Sequence, residues 1–234
     1  MYKFLAIEGI DGSGKSTQVE ALKKYFTKNN ISYEYIHFPQ TSAPYFGELI
    51  ARFLRGDFGK INDVDPYIVA LLYAGDRDYM KNKIREWLKT KLVLVDRYVL
   101  SNMAFQCAKI ASFEEKSKLR EWIRSLEYEY FQIPEPDLSI FLDVPFDFAT
   151  KNLLNSRVGP DRDYLNGKKD IHEENFDFQK AVKNEYLYLL ENENNFISVK
   201  CTDSNGLILN PDEIQNKIIE VCKKFKIISN ESTK

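Results

Sequence analysis

The sequence has few of the residues that build metal centres and disulfide frameworks. Its 234 residues include only three cysteines and two histidines. Cys107, Cys201 and Cys222 are widely spaced, and no Cys-x-x-Cys pair occurs. We therefore expect neither a disulfide scaffold nor a zinc site, and the odd cysteine count favours a reducing compartment. These features predict a cytoplasmic protein.

The sequence also lacks a charge excess and a long apolar run. Its 33 Lys and Arg residues nearly balance 35 Asp and Glu residues, which leaves a net charge of -2. Proteins that coat nucleic acid or membrane surfaces are usually basic, so we expect neither partner. The apolar residues at the start of the chain end at Glu8. That run is too short for a signal peptide or a membrane span.

Apolar segments are nevertheless frequent enough for one hydrophobic core, since 44% of the residues are hydrophobic and 14% are aromatic. Short apolar runs predict strands at residues 2–8, 32–38, 92–95, 138–142 and 196–200, and helical periodicity fills the intervals between them. This alternation is typical of an α/β protein whose parallel sheet is covered on both faces. We expect a single domain over residues 1–228, a charged lid at about 156–172 and a polar tail at 229–234.

The segment Gly9–Ser16 matches the phosphate-binding pattern G-x-x-x-x-G-K-[ST] between a predicted strand and a predicted helix. Backbone N–H groups and the helix N-terminus would hold phosphate oxygens, while Lys15 reaches the β- and γ-phosphates of ATP and Ser16 ligates Mg²⁺. The predicted ATP-binding residues are Gly9, Asp11, Gly12, Ser13, Gly14, Lys15, Ser16 and Thr17. The motif predicts a three-layer P-loop NTPase fold with about five parallel strands.

A second acidic position accompanies this motif. The apolar strand at 92–95 ends at Asp96, and the carboxyl end of a parallel strand lies beside the ligand in such sheets. Asp96 is therefore a predicted Mg²⁺ ligand, partly through water. A signalling GTPase would need Asn-Lys-x-Asp, which neither 82–85 nor 216–219 supplies. A kinase for a small acceptor fits better.

Four blocks in order resemble the thymidylate kinase family across nearly the whole chain: Phe4–Gln18, Leu71–Arg77, Asp96–Gln106 and the stretch from Leu142 into the lid. The resemblance implies transfer of the γ-phosphoryl group of ATP to dTMP, which gives dTDP, with Mg²⁺ present. It also implies a homodimer that forms through helices.

The same resemblance implies the acceptor-binding residues. Asp11 would contact the sugar 3′-hydroxyl, and Tyr73 would stack on thymine. Arg77 would contact the base, and Asn102 would pair with it through both a donor and an acceptor. Phe105 would crowd the 2′ position and so favour deoxyribose.

Further positions follow from the third block and from the lid. Arg97 would hold the acceptor phosphate, and Ser101 and Gln106 would lie on the sugar and base side. Phe38 belongs to the same predicted acceptor site. The predicted catalytic residues are Lys15, Arg97, Arg157 and Arg162, with Lys168 and Lys169 as weaker lid cations and Glu173 as a weak support for the metal.

One stretch departs from the family pattern. The family often has Phe-Pro-x-Arg after its second strand, but here Phe38-Pro39 is followed by Gln40 and Thr41. The acceptor phosphate would then be held by Arg97 alone or with help from Gln40, Tyr45 or Arg52.

Other functions stay open from the sequence alone. The chain could act on UMP, CMP or thymidine, and the residues on the base side would separate these acceptors. It could instead be a P-loop ATPase that switches a protein partner, or a nucleotide-binding module without chemistry.

Overall fold

Five short apolar segments form the sheet at the centre of the computed structural model, which describes residues 2–154, 164–165, 170–173 and 175–229. The strands are β1 (Phe4–Glu8), β2 (Tyr33–His37), β3 (Leu92–Asp96), β4 (Leu138–Asp143) and β5 (Phe196–Lys200). They lie in the order β2-β3-β1-β4-β5, and all neighbours are parallel. All side chains of β1 and β3 are buried, because helices cover both faces of the sheet.

The helices that surround the sheet are α1 (Lys15–Lys28), α2 (Phe46–Leu54), α3 (Pro66–Trp87), α4 (Val99–Cys107), α5 (Phe113–Arg124), α6 (Phe146–Leu154), α7 (Phe176–Asn192) and α8 (Pro211–Lys224). Helix α5 continues as a π-helical turn over Ser125–Tyr130. Two groups of helices result, since α1 packs against α8 while α4 packs against α3, α5 and α7. None of the described helices is long and apolar enough to cross a membrane.

The predicted α/β fold with a five-stranded parallel sheet is confirmed. Helix α7 begins at Phe176, because the Asn175 side chain caps it by accepting a hydrogen bond from the Phe178 N–H. Glu173 lies in the preceding turn.

The lid prediction falls largely on residues that lie outside the described ones. Arg157, Arg162, Lys168 and Lys169 belong to that part of the chain, as do residues 230–234 of the predicted tail.

Strand register sets the edge on which the site is built. Asp96 at the end of β3 pairs with Ile7 of β1 on one side and with His37 of β2 on the other. The loops that follow these parallel strands therefore leave the sheet together, at the edge where ligands bind in open α/β sheets.

The contribution of the core to stability can be tested at Phe141. This residue is fully buried in β4 and stacks on Tyr186 of α7 with ring centroids 4.9 Å apart. Because this ring joins the sheet to a helix, Phe141→Ala should lower the free energy of unfolding by about 3–5 kcal/mol in urea titrations. Phe113 is 64% exposed, so the control Phe113→Ala should cost less than about 1 kcal/mol. Equal losses in the two variants would contradict this account of the core.

Candidate active site

A cleft of about 510 Å³ lies at the carboxyl edge of the sheet. Its walls come from the loops after β1, β2 and β3, from α3 and α4, and from described parts of the segment before α7. The predicted site residues that line it are Asp11, Gly14, Lys15, Ser16, Phe38, Tyr73, Arg77, Asp96, Arg97, Ser101, Asn102, Phe105, Gln106 and Glu173. Residues predicted at five separate stretches of the chain thus share one cavity.

The glycine loop between β1 and α1 has the shape that its motif predicts. Gly14 caps α1 with φ +86°, a left-handed conformation that favours glycine. At Gly12 a Cβ atom would come within 2.3 Å of the Ala149 carbonyl oxygen, so α6 closes over the loop there. Lys15 is 7% exposed, and its Nζ donates to the carbonyls of Gly9 and Ile10 at 3.1 and 2.9 Å. The ammonium group is therefore held against the loop.

Three other predicted ATP-binding residues lie around this loop rather than on the cleft lining. The side chain of Ser13 is buried and Thr17 is exposed on α1. The Ser13 side chain packs against Gly9, because a Cβ atom at Gly9 would lie 2.6 Å from Ser13 Oγ. These positions shape the loop through its backbone.

Arg97 connects the glycine loop to α4. It follows β3 with φ +65°, a conformation that costs a non-glycine residue energy and often marks a functional position. Its Nη1 donates to the Gly9 carbonyl at 3.0 Å and to Ser101 Oγ at 3.3 Å, and its Nη2 pairs with Asp11 Oδ1. The guanidinium also lies 4.9 Å from the centre of the Phe105 ring.

Asp11 is held as an anion. Burial acts to raise its pKa, but the charges of Arg97 and Lys15 and a hydrogen bond from Gln179 Nε2 at 2.7 Å lower it to about 2. Its predicted partner was a sugar hydroxyl, and in the structure its oxygens accept from Arg97 and Gln179. The pair places a carboxylate and a guanidinium side by side in the middle of the cleft.

Glu8 was not predicted as a site residue, yet it supports this pair from below. The side chain is fully buried. Its Oε2 accepts from Ser101 Oγ at 2.5 Å and from the Tyr186 hydroxyl at 3.0 Å, and its Oε1 accepts from the Tyr98 N–H at 2.8 Å. Burial raises the pKa of Glu8. The sequence feature that could have indicated this role of Glu8 is its place as the one acid at the end of an apolar strand.

The far end of the cleft holds the residues predicted for the base. Arg77 is 2% exposed and forms two hydrogen bonds with the buried Glu127, at 2.5 Å from Nε and 2.6 Å from Nη2. Asn102 was expected to offer both a donor and an acceptor to the base. That expectation is corrected, because its Nδ2 already donates to the Ala70 carbonyl at 3.1 Å and to Glu127 Oε1 at 2.9 Å.

The wall beside Phe105 comes from the segment before α7. Asp170 accepts from the Tyr164 hydroxyl and from the His172 N–H, both at 2.8 Å. The His172 ring lies 5.2 Å from Phe105 and 5.3 Å from Phe178, centre to centre. Burial lowers the pKa of His172 to about 3 and raises that of Asp170 to about 7. His172 is thus a neutral aromatic wall, in keeping with its absence from the predicted catalytic groups.

Asp96 has the properties of a ligand for a hard cation. Its Oδ2 lies 3.4 Å from His37 Nδ1, whereas its buried Oδ1 has no hydrogen-bond partner within the described part of the chain. Burial acts to raise its pKa, but His37, Lys15 and Arg97 lower it overall. Ser16 and Glu173 supply further oxygen atoms along the same cleft.

No group of three or more His, Cys, Asp and Glu side chains could hold a metal among the residues described. The oxygen atoms of Asp96, Ser16 and Glu173 fit Mg²⁺, which proteins usually hold through one or two carboxylates together with substrate phosphates. A metal held by side chains alone would need more of them.

Of the three residues suggested as helpers for the acceptor phosphate, only Gln40 lines the cleft. Its N–H donates to Asp76 Oδ2 at 2.8 Å, and its Nε2 donates to the His37 carbonyl at 2.6 Å. Tyr45 is 77% exposed, and the Arg52 guanidinium lies 4.8 Å from the centre of the Phe58 ring. Tyr45 and Arg52 are therefore not placed for that role in this conformation.

Comparisons with known proteins agree with the geometry. A family model described as thymidylate kinase matches residues 7–210. A probable thymidylate kinase of Methanocaldococcus jannaschii is 32% identical over 222 residues, which cover 95% of this chain and 96% of that one. Another, from Methanosphaera stadtmanae, is 29% identical over 225 residues, or 94% and 99% of the two chains. The solved thymidylate kinase of Candida albicans matches with a TM-score of 0.70 and 23% identity, covering 98% and 96%.

Asp170 provides a pH prediction for the unliganded protein. Its pKa is about 7 when folded, against an ordinary value of 3.8. Between these values the folded state holds a proton that the unfolded state has released, so stability falls as the pH rises. Asp170→Asn removes this titration. Relative to the wild type, the variant should gain up to about 4 kcal/mol of unfolding free energy between about pH 4 and pH 8 in urea titrations.

The hydrogen bonds that Asp170→Asn weakens, from Tyr164 and His172, add an offset that does not depend on pH. The pH-dependent part of the difference is therefore separable from it. Stability profiles of variant and wild type that run parallel from pH 4 to pH 8 would contradict the assignment.

Proposed function

The chain belongs to the thymidylate kinase family, and we propose that its cleft transfers the γ-phosphoryl group of ATP to the phosphate of dTMP, which forms dTDP. The observation that carries the proposal is the continuity of the cleft. A phosphate-binding loop lies at one end, Arg77 and Asn102 lie at the other, and the Arg97–Asp11 pair lies between them. A donor triphosphate and an acceptor nucleotide then meet end to end.

The reaction proposed is a direct in-line attack by an oxygen of the acceptor phosphate on the γ-phosphorus. That oxygen is already ionised, so the site needs no general base. The chain contributes positioning and positive charge. The loop amides and Lys15 would hold the donor phosphates. Arg97 would exchange its contact with the Gly9 carbonyl for one with the acceptor phosphate, while its pair with Asp11 is kept.

Bound Mg²⁺ would neutralise charge on the phosphate oxygens. Asp96, Ser16 and, more weakly, Glu173 would hold it, because their oxygen atoms line the cleft beside the glycine loop. Asp96 Oδ1 has no hydrogen-bond partner among the described residues, and this supports its place in the set. Arg157 and Arg162 complete the proposal as lid cations, although both lie outside the described residues.

We further propose that the enzyme is a cytoplasmic homodimer. Support for the dimer comes from apolar side chains that α3 leaves exposed on one side, namely Ile68 at 53%, Leu71 at 37% and Tyr79 at 57%. Support for the cytoplasm comes from the cysteines, because Cys107, Cys201 and Cys222 are free and buried.

Acceptor choice tests the activity directly. ADP release with ATP and Mg²⁺ should be measured with dTMP, dUMP, UMP, CMP and thymidine side by side. We expect dTMP to be phosphorylated most efficiently, because the Phe105 wall leaves little room beside the sugar and the Arg77 end is built for a base. ATP hydrolysis that no monophosphate accelerates would contradict the proposal and favour a switch ATPase.

Lys15 tests the donor site. Lys15→Ala should lower kcat by at least about 10²–10³-fold, because the variant lacks the one side-chain cation that follows the glycines of the loop. Circular dichroism should show an unchanged fold. Lys118→Ala serves as the matched control, since Lys118 is 55% exposed on α5 and should retain full activity. A near-normal kcat for Lys15→Ala would refute the phosphate-binding role.

A further inference from the structure

A buried carboxylate lies behind the base end of the cleft. Glu127 belongs to the π-helical turn after α5 and is 0% exposed. It follows Leu119 and Ile123 at four-residue spacing along the buried side of the helix, a position where an apolar residue is usual. π-Helical turns are frequent at functional sites. A charge at such a position needs a specific partner, because burying it alone is costly.

Glu127 has two partners, and each is a predicted base-reading residue. Oε1 accepts from Arg77 Nη2 at 2.6 Å and from Asn102 Nδ2 at 2.9 Å, and Oε2 accepts from Arg77 Nε at 2.5 Å. The carboxylate therefore joins α3 to α4 and sets the orientation of both side chains at once.

The orientation of the Asn102 amide follows from chemistry. Its nitrogen faces Glu127 and the Ala70 carbonyl, and both of these groups can only accept hydrogen bonds. A flipped amide would turn its oxygen toward these two acceptors, which have no proton to donate, so the oxygen would face the negative charge of Glu127 without a hydrogen bond. Asn102 is 1% exposed, so water cannot replace the lost partners.

Within the described residues, Asn102 and Arg77 still offer a ligand an acceptor, Asn102 Oδ1, and a donor, Arg77 Nη1. Asn102 Oδ1 receives only a long contact from Gln106 Nε2, at 3.4 Å. Arg77 Nη1 donates to no group in the described part of the chain, although Nε and Nη2 are engaged. Both residues line the cleft. This part of the cleft wall, formed by Asn102 and Arg77, thus presents a hydrogen-bond acceptor beside a hydrogen-bond donor.

We propose that Glu127 is the positioning residue that sets the base specificity of this site, through Arg77 and Asn102. The inference rests on the proposed function and deepens it. Thymine and uracil carry a donor at N3–H and an acceptor at O4, which match the wall. Cytosine carries an acceptor at N3 and a donor at its 4-amino group, which face like groups. Glu127 thereby selects 4-keto pyrimidines over 4-amino pyrimidines.

The test compares dTMP with 5-methyl-2′-deoxycytidine 5′-monophosphate, because the two nucleotides differ only at positions 3 and 4 of the base. The wild type should prefer dTMP in kcat/KM by roughly 10³-fold or more, since a buried hydrogen-bonding site rejects a mismatched ligand strongly. In Glu127→Gln, an amide can donate to Asn102 Oδ1 and allow Asn102 to turn. We expect the preference to fall at least about tenfold, with the KM for ATP within about twofold of wild type.

Glu185→Gln is the matched control. Glu185 is a buried carboxylate that pairs with Arg120 at 2.8 Å and Lys116 at 2.7 Å, away from the cleft lining. The Glu185→Gln variant should lower stability as Glu127→Gln does but leave the preference for dTMP unchanged. If both variants keep the wild-type preference, Glu127 has only a structural role and the proposal is overturned.

Should Glu127→Gln fail to fold, Asn102→Ala gives a second test, because it removes the acceptor from the wall. The preference for dTMP should again fall at least about tenfold, and an unchanged preference would overturn the proposal. Wild-type turnover of both nucleotides at equal efficiency would overturn the inference alone. Turnover of neither would overturn the proposed function itself.

Discussion

The site depends on the position of one guanidinium group. Arg97 leaves β3 in a left-handed conformation and contacts the glycine loop, Asp11 and α4 at once. The buried Glu8 below it holds Ser101 and the start of α4. The glycine loop and α4, the helix that also carries Asn102, are therefore joined by one hydrogen-bonded network. A change in the glycine loop or at the start of α4 would therefore shift the Arg97 guanidinium.

Buried charges in this protein serve geometry more than stability. Arg77 with Glu127 is an ion pair removed from water, and Arg97 with Asp11 is a partly buried one. The cost of desolvation offsets much of their attraction, so such pairs are weak evidence for stability. Each pair instead fixes the direction of a side chain that lines the cleft. A net charge of -2 thus hides a local arrangement in which scarce arginines converge on one cleft.

Much of the site was predictable where its chemistry is local in the chain. The glycine loop, Lys15 and Ser16 lie within one segment, so their spacing alone indicates their role. The place of Asp96 on the cleft was predictable because it ends an apolar strand. Glu8 and Glu127 were not predicted, since a lone acid near apolar residues has no visible partner in sequence. The expected donor from Asn102 was corrected for the same reason: its partners, Ala70 and Glu127, lie 32 and 25 residues away.

The sequence by itself determined the strands, the intervals that the helices fill and the phosphate-binding motif, because apolar periodicity and glycine spacing are local physical constraints. Only the tertiary structure decided which atoms face the ligand. Arg77 meets a carboxylate 50 residues further along the chain, and that contact leaves Nη1 as its remaining donor. Packing of α3, α4 and the turn after α5 brings these groups together, and a hydrogen bond forms only where folding places its two partners within reach.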